Sequence, residues 1–421
     1  MKRLQAADKF LGRLGCTLLQ PLRWKRWLNG APSEPRNVLL IKFWGIGSLQ
    51  LLTPAVRTLR ARHPGARFTL LTLNENAEFA RGLQLFDDVR TLDVRSGRGV
   101  RGWARIAHRI VALVRETRSA RFDRVYDFEF FTRFSALVSL AAGARETSGF
   151  AAPNVWRGGF HTRTVPFNRY WHVARNFRAL AGGEDGEDVG FEDLVAYRPT
   201  PTDERAIGER LAGIAGRTFV VLNPNAGHLS LERRWPASSF ARLARSLVEE
   251  DGTPVVFIGS SGEVEYVRAI VAETGASPES HVIDLCGKLS IGELCTLLGK
   301  AGVIVTNDSG PMHLGAATGT PTVGLFGPET PVMYGPLGSR TTALWKPPVC
   351  SPCINVHDNK VYTCVHGTPE CLVNISHDEV LEEVRLWLWD RVLQPRGVWA
   401  RRGALHVLRG PPHEWFEELP K

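Results

Sequence analysis

The sequence predicts an α/β protein with two parallel sheets facing each other across a cleft. Three observations predict it. Short apolar runs of strand length alternate with stretches of helical periodicity, the rhythm of a parallel sheet covered on both faces. The rhythm breaks once, in the acidic, glycine-rich run Gly182-Gly183-Glu184-Asp185-Gly186-Glu187-Asp188, and restarts beyond Pro199 and Pro201. The length, 421 residues, suits two domains better than one.

Composition excludes several classes. Hydrophobic residues are 43% and charged residues 23%, so wholesale disorder is excluded. No long uncharged apolar run is present, so no transmembrane helix is expected. The start of the chain lacks the apolar core and small-residue cleavage site of an export signal. A cytoplasmic location follows as the expectation, in which seven cysteines do not build a disulfide scaffold. The net charge of +9 suits an anionic partner. Nucleic acid is not expected, because no recognition motif or basic-aromatic sheet signature appears.

Taken in order, residues 1–35 form a basic segment. Lys2, Arg3, Lys9, Arg13, Arg23, Lys25 and Arg26 face only Asp8 and Glu34, while Leu4, Ala7, Leu11, Leu14 and Leu18 recur at helical spacing. This reads as an amphipathic helix for an anionic membrane surface. The alternative is a terminal helix docked on the body, and Gly12 and Gly15 weaken it either way.

The first domain is placed at 36–195. Strands are expected at 38–41, at 68–71 and ending at Asp127. Helices are expected over 49–62, from Asn74 and over 132–142. The second domain is placed at 196–345, with strands near 219–222, 255–258, 282–285, 302–306 and 322–326 and helices over 238–249 and 291–298. Residues 346–421 are expected to be a cysteine-containing segment followed by helices. Ligands in open parallel sheets bind beyond the carboxyl ends of strands, so the informative residues should follow strands.

They do. In Thr306-Asn307-Asp308-Ser309-Gly310-Pro311-Met312-His313 a strand runs through a polar loop into a helix. Asp308 or Ser309 is expected to cap that helix, and Gly310 to let a phosphate approach its N-terminus. The alternative is a capped helix without ligand; Asp308, Ser309 and His313 in one turn favour a site. A second loop, Asn223-Pro224-Asn225-Ala226-Gly227, also follows a strand. Beyond it, Arg233-Arg234-Trp235-Pro236 puts two arginines beside a helix start, where they can neutralise a diphosphate.

Together these strings resemble glycosyltransferase family 9, the heptosyltransferases of the lipopolysaccharide inner core. The matching stretches are 37–62 with Leu52-Thr53-Pro54-Ala55, 223–245 with Arg234-Trp235-Pro236, and 286–336 with Gly287-Lys288, the Asn307-to-His313 string and Gly327-Pro328. The resemblance implies a GT-B fold of two Rossmann-like domains, acceptor in the first and nucleotide-sugar in the second. It implies inverting transfer that needs no metal or other cofactor. ADP-heptose is the leading donor it implies, with another nucleotide-sugar as the alternative, and a membrane-anchored glycolipid is the acceptor. By the same resemblance Arg233 matches a phosphate-binding position, Ser309 and Gly310 the diphosphate loop, Glu263 a ribose-binding acid, and Lys288 approaches the base. Asn225 and Asp308 complete the donor side.

The chain departs from the family at its first loop. The family places a catalytic aspartate after a glycine there, but here the pair is Gly47-Ser48. A serine hydroxyl is no base near neutral pH, so the base must come from elsewhere or the chain is a non-catalytic nucleotide-sugar-binding member. Glu129, with Asp127 second, is the expected replacement, since both stand at a strand end in the acceptor domain. The alternative makes them structural acceptors. His172 and Arg133 are expected on the acceptor side, Arg133 within reach of a phosphate.

Cys350-Ser351-Pro352-Cys353 with Cys364 and Cys371 forms the remaining constellation. Two cysteine pairs suit tetrahedral structural zinc, though the second spacing is wide. Disulfides and free thiols are the alternatives.

Overall fold

The computed structural model describes residues 8–22, 34–93, 99–130, 132–151, 155–182, 194–227, 230–275, 281–354, 363–389, 399–402 and 405–409. The chain divides into two compact units. One comprises residues 1–169 and 174–187, the other 170–173 and 188–421.

The first unit holds β1 (Asn37–Ile41), β2 (Arg67–Leu73), β3 (Asp88–Leu92), β4 (Arg124–Asp127), β5 (Glu146–Ala151) and β6 (Arg163–Pro166). They form one parallel sheet in the order β3-β2-β1-β4-β5-β6. Its central strand reads Asn-Val-Leu-Leu-Ile with the last four residues buried, as expected of a strand covered on both faces. Leu39, Ile41, Leu71 and Val125 pack there against Leu113 and Val138 from helices. The order reverses between β1 and β4, which places a topological switch point at their carboxyl ends.

The second unit holds β7 (Val220–Asn223), β8 (Val255–Phe257), β9 (Val282–Asp284), β10 (Val303–Asn307), β11 (Thr322–Phe326), β12 (Thr341–Trp345), β13 (Trp399–Arg402) and β14 (Leu405–Arg409). Their order is β13-β14-β12-β11-β10-β7-β8-β9. The six strands β7 to β12 are parallel, and the switch point falls between β7 and β10. The core of this sheet includes Val220, Leu222, Val303, Val305 and the fully buried Trp235. Each unit is thus Rossmann-like, the α/β class expected from the rhythm of the sequence.

Several details differ from expectation. The single helix expected over 49–62 is two, Ile46–Leu51 and Thr53–Arg62. Pro54 in the first turn of the second has no N–H with which to continue the first. The C-terminal region contains the expected helix, His377–Leu388, but also β13 and β14, which extend the sheet antiparallel beyond β12. The 21-residue helix Gly99–Ser119 had no place in the sequence reading.

The described part of the N-terminal segment is docked on the first unit. Helix Arg13–Leu19 follows a helical turn, Asp8–Gly12. Asp8 accepts hydrogen bonds from the backbone N–H of Arg133 (3.1 Å) and Phe134 (2.8 Å), so it caps helix Arg133–Ala141. Cys16 is fully buried against Ala136 and Phe160. A Cβ on Gly12 would meet Arg133 Cβ at 2.9 Å and one on Gly15 would meet Leu137 at 3.2 Å. The two glycines that weaken the helix therefore permit its close approach. Of the basic residues named above, only Lys9 and Arg13 fall among the described ones. No described helix is long and apolar enough to cross a membrane.

Candidate functional site

At the switch point of the first unit, Glu129 lies just beyond the end of β4 and is buried. The strand ends at Asp127, so strand alternation does not set the two carboxylates on one face. Glu129 Oε1 accepts from Lys42 Nζ (3.0 Å) and from the backbone N–H of Phe43 (2.6 Å) and Trp44 (3.1 Å). Lys42 is itself buried, so the pair neutralises two charges that burial would otherwise penalise. Glu129 thereby fixes the chain leaving β1, immediately before Gly45, whose φ of 83° begins helix Ile46–Leu51. Gly47 is buried in that helix and Ser48 half-buried.

Asp127 has a different environment from the one expected of a base. It is fully buried. Its Oδ2 accepts from Arg157 and from Ser135 Oγ (3.0 Å) and lies 3.2 Å from His161 Nε2. Its Oδ1 accepts from the backbone N–H of Glu129 (3.1 Å). Burial raises its pKa, but the Arg157 guanidinium and the His161 and Ser135 hydrogen bonds outweigh it, holding the carboxyl below its ordinary range. A carboxylate so enclosed and so well satisfied is a structural acceptor, not the second base the sequence suggested. His161 fits there because Gly149 carries no side chain; a Cβ would sit 2.5 Å from the ring. Sequence reading missed both Arg157 and His161, since they lie in a stretch without periodicity.

Arg133 begins the helix that Asp8 caps. His172 belongs to the second unit, where its Nε2 lies 3.0 Å from the carbonyl of Gly335, so the structure does not group it with the first unit's loops.

The switch point of the second unit gathers most of the residues expected on the donor side. Asn223, at the end of β7, donates from Nδ2 to Thr306 Oγ1 and Ser309 Oγ, each at 2.9 Å. Asn225 Nδ2 donates to the carbonyl of Ile258 (2.9 Å) and to Asn223 Oδ1 (3.2 Å). Arg233 Nη1 donates to the carbonyl and Oδ2 of Asp308, both at 3.0 Å, and Nη2 to the carbonyl of Ala226 (2.7 Å). One guanidinium thus joins the two strand-end loops. Trp235 N donates to Asn307 Oδ1 (2.9 Å), and its indole N–H to Ile375.

Neither Asp308 nor Ser309 caps the following helix, contrary to expectation. Ser309 occupies the N-cap position of helix Gly310–Ala317 without a side-chain hydrogen bond to it, because its hydroxyl is engaged by Asn223 and Thr306. The N-terminal dipole is therefore not satisfied by a side chain, the condition that suits an anion.

Among the described residues, several buried polar atoms of this unit have no hydrogen-bond partner. Among them are Asn225 Oδ1, Arg234 Nε, Glu263 Oε1 and His313 Nδ1. Such orphans are costly unless something else satisfies them. His313 is buried, and burial pushes its pKa down to about 4 against an upward pull from Asp308, so the ring is neutral. Glu263 gives Oε2 to the N–H and hydroxyl of Ser260 (2.9 and 2.8 Å), while Oε1 lies 3.6 Å from Arg234. Arg234 stacks on Tyr266 at 3.9 Å. Lys288 Nζ donates to the carbonyl of Asp284 (2.6 Å) and is exposed.

The four C-terminal cysteines line a single small cavity, about 20 Å³, together with Ser351, His366 and Glu370. All four thiols are free. Burial, then the neighbouring sulfurs, pushes Cys371 up to about 12. Soft sulfur donors suit a thiophilic ion. Among the described residues, however, no three side chains stand in a metal-ligating arrangement.

The chain is similar to known proteins in sequence and fold. A family profile described as "Glycosyltransferase family 9 (heptosyltransferase)" matches residues 110–363. Lipopolysaccharide heptosyltransferase 2 of Escherichia coli (strain K12) is 31% identical over 371 residues, covering 84% of this chain and 98% of that protein. The solved E. coli ADP-heptose lps heptosyltransferase II superposes with a TM-score of 0.65 at 23% identity, covering 85% of this chain and 99% of that one. A family 9 glycosyl transferase from Veillonella parvula DSM 2008 gives 0.68 at 21% identity, covering 86% and 99%. These superpositions carry the fold, that of the GT-B heptosyltransferases.

Proposed function

The chain belongs to glycosyltransferase family 9, and from that premise we propose that it moves heptose from ADP-heptose to a lipopolysaccharide-core or other envelope glycan. The transfer inverts the anomeric centre and uses no catalytic metal. The observation that carries the donor half is the second unit's loop pair. There an Arg233–Asp308 bridge, an uncapped helix N-terminus and four buried polar atoms without a hydrogen bond converge. A nucleotide diphosphate would satisfy that set: the helix N–H groups and Arg233 would bind its charge, and Asn225, Glu263 and His313 would take polar contacts. Lys288, whose Nζ donates to the carbonyl of Asp284 at the end of β9, is assigned to the nucleotide base. Arg233 and the helix dipole would also stabilise the diphosphate as it leaves.

On the acceptor side, Glu129 is the carboxylate assigned to the acceptor proton. Its Oε1 is committed to the chain after β1, so proton transfer would fall to Oε2. Gly47, Ser48, Arg133 and His172 are assigned to the acceptor side. The acceptor is anchored in the inner face of the cytoplasmic membrane, an anionic surface at which the enzyme works peripherally. A zinc ion, if held, would be structural: Cys350, Cys353, Cys364 and Cys371 would ligate it and cross-link the segment, with no part in transfer.

The deciding experiment is a donor screen by thermal stabilisation, followed by an assay for released nucleotide with acceptor extract. Stabilisation by ADP-heptose with release of ADP is the expected result. Stabilisation without release in any extract would instead select the binding-only reading that Ser48 raises, and preference for another nucleotide-sugar would reassign the donor.

A further inference from the structure

Among the described residues, the docked N-terminal segment presents one exposed apolar face. Asp8, Gly12 and Cys16 turn toward the first unit. Phe10, Leu11, Leu14, Leu18 and Leu22 turn away, at 44 to 76% exposure. Leu11, Leu14, Leu18 and Leu22 follow at three and four residues, with Phe10 beside them, and make a single stripe. Five large apolar side chains in one stripe are far from the scattered exposure normal for a soluble surface. Beside the stripe is an open pocket of about 380 Å³ lined by Arg13, Thr17, Gln20, Arg133 and Trp156. Two guanidiniums, two polar side chains and an indole share it. The Nε of Arg133 is buried and has no hydrogen-bond partner among the described residues. The flanking sequence adds Lys9, Arg23, Lys25 and Arg26 against a single acid, Asp8.

We propose that this face is a membrane-docking surface: the apolar stripe enters the acyl boundary of an anionic bilayer while Arg13 and Arg133 clasp a lipid headgroup phosphate in the pocket. Charge complementarity selects the occupant. A protein partner would be served by the stripe alone, whereas an anionic bilayer uses the stripe and the cationic pocket together. Trp156 at the rim is the side chain suited to the headgroup level. The proposal rests on the membrane-surface part of the function above and gives it a location. It also gives a role to the docking of the helix, since the Asp8 hydrogen bonds and the close packing at the two glycines seat it on the first unit.

Vesicle co-sedimentation of the full chain tests it, with neutral phosphatidylcholine against mixed phosphatidylcholine–phosphatidylglycerol vesicles. The parent is expected to prefer the anionic vesicles and to lose that preference at high salt. The Leu14→Glu/Leu18→Glu variant, altered only at exposed positions, should bind both vesicles at least about tenfold more weakly. It should melt like the parent and transfer sugar to a deacylated, soluble acceptor at the parent rate. The Arg13→Gln/Arg133→Met variant should fall to the level seen with neutral vesicles, an effect of about five- to tenfold or more. Unchanged vesicle binding by the Leu14→Glu/Leu18→Glu variant would overturn the proposal. So would stabilisation of the parent by inorganic phosphate without any vesicle binding, which would make the pocket a site for a soluble anion. Vesicle binding as expected with no sugar transfer to any acceptor would leave this surface standing and refute the transferase assignment instead.

Discussion

Lys42 and Glu129 form a buried ion pair, Nζ to Oε1 at 3.0 Å, with side-chain exposures of 2% and 4%. It ties the end of β1 to the end of β4 at the switch point of the first sheet, and Phe43 and Trp44 donate their N–H groups to the same oxygen. The segment that leads into the helix carrying Ser48 is therefore held by the residue proposed to replace the missing aspartate.

Glu129→Gln strands the Lys42 charge in a buried site. Removing one partner of such a pair costs about 3–5 kcal/mol, so the variant should melt well below the parent. If Glu129 is also the base, turnover measured where the variant is folded should fall by about 10²–10⁴-fold with donor affinity near normal. A lowered melting temperature with near-parent turnover would reduce Glu129 to a positioning role. Ser48→Ala should change turnover much less; an inactive Ser48→Ala beside an active Glu129→Gln would return the chemistry to the first loop.

Asp308→Ala removes the carboxylate that Arg233 holds at 3.0 Å, and Ser309→Ala the hydroxyl that Asn223 and Thr306 hold. Each should weaken nucleotide-sugar binding. The loss of a charge-assisted contact corresponds to about tenfold or more for Asp308→Ala. Calorimetric titration with ADP-heptose reads the effect. Parent affinity in both folded variants would move the donor elsewhere.

His313 makes stability depend on pH. Unfolded, it takes a proton near its ordinary 6.5; folded, only at about 4. Between those values the unfolded chain binds more protons, so stability should fall as pH drops from 6.5 toward 4, by about 3 kcal/mol at most. Above 6.5 this residue contributes no slope. His313→Leu should flatten that part of the denaturant-midpoint profile, and an unaltered slope would contradict the burial described.

Gly12→Ala places a Cβ 2.9 Å from Arg133 Cβ, a clash with a stem atom that cannot swing aside. The cost should be about 1–3 kcal/mol, or local detachment of the segment seen as faster hydrogen exchange in helix Arg133–Ala141. Deleting residues 1–30 would remove Asp8 and Cys16 as well, so a lower melting temperature is expected from the truncation. Parent-like stability in both would mean that the docking contributes nothing.

By itself the sequence determined the α/β class, the two-part organisation and the polar loops that follow β7 and β10, because each is written locally. A run such as Val38-Leu39-Leu40-Ile41 is apolar on both faces only if a sheet is covered twice, and the Asn307-to-His313 string carries its strand, loop and helix start in consecutive residues. Tertiary structure decided what the polar residues do with one another. Nothing local joins Arg233 to Asp308, 75 positions apart, or Glu129 to Lys42, 87 apart. Asp127 could be recognised as a structural acceptor only once Arg157 and His161 reached it from a stretch without periodicity. The hairpin of β13 and β14 took its strand character from an open sheet edge at β12. A side chain's protonation, partners and exposure are set by what folding brings beside it, and sequence spacing does not encode that neighbourhood.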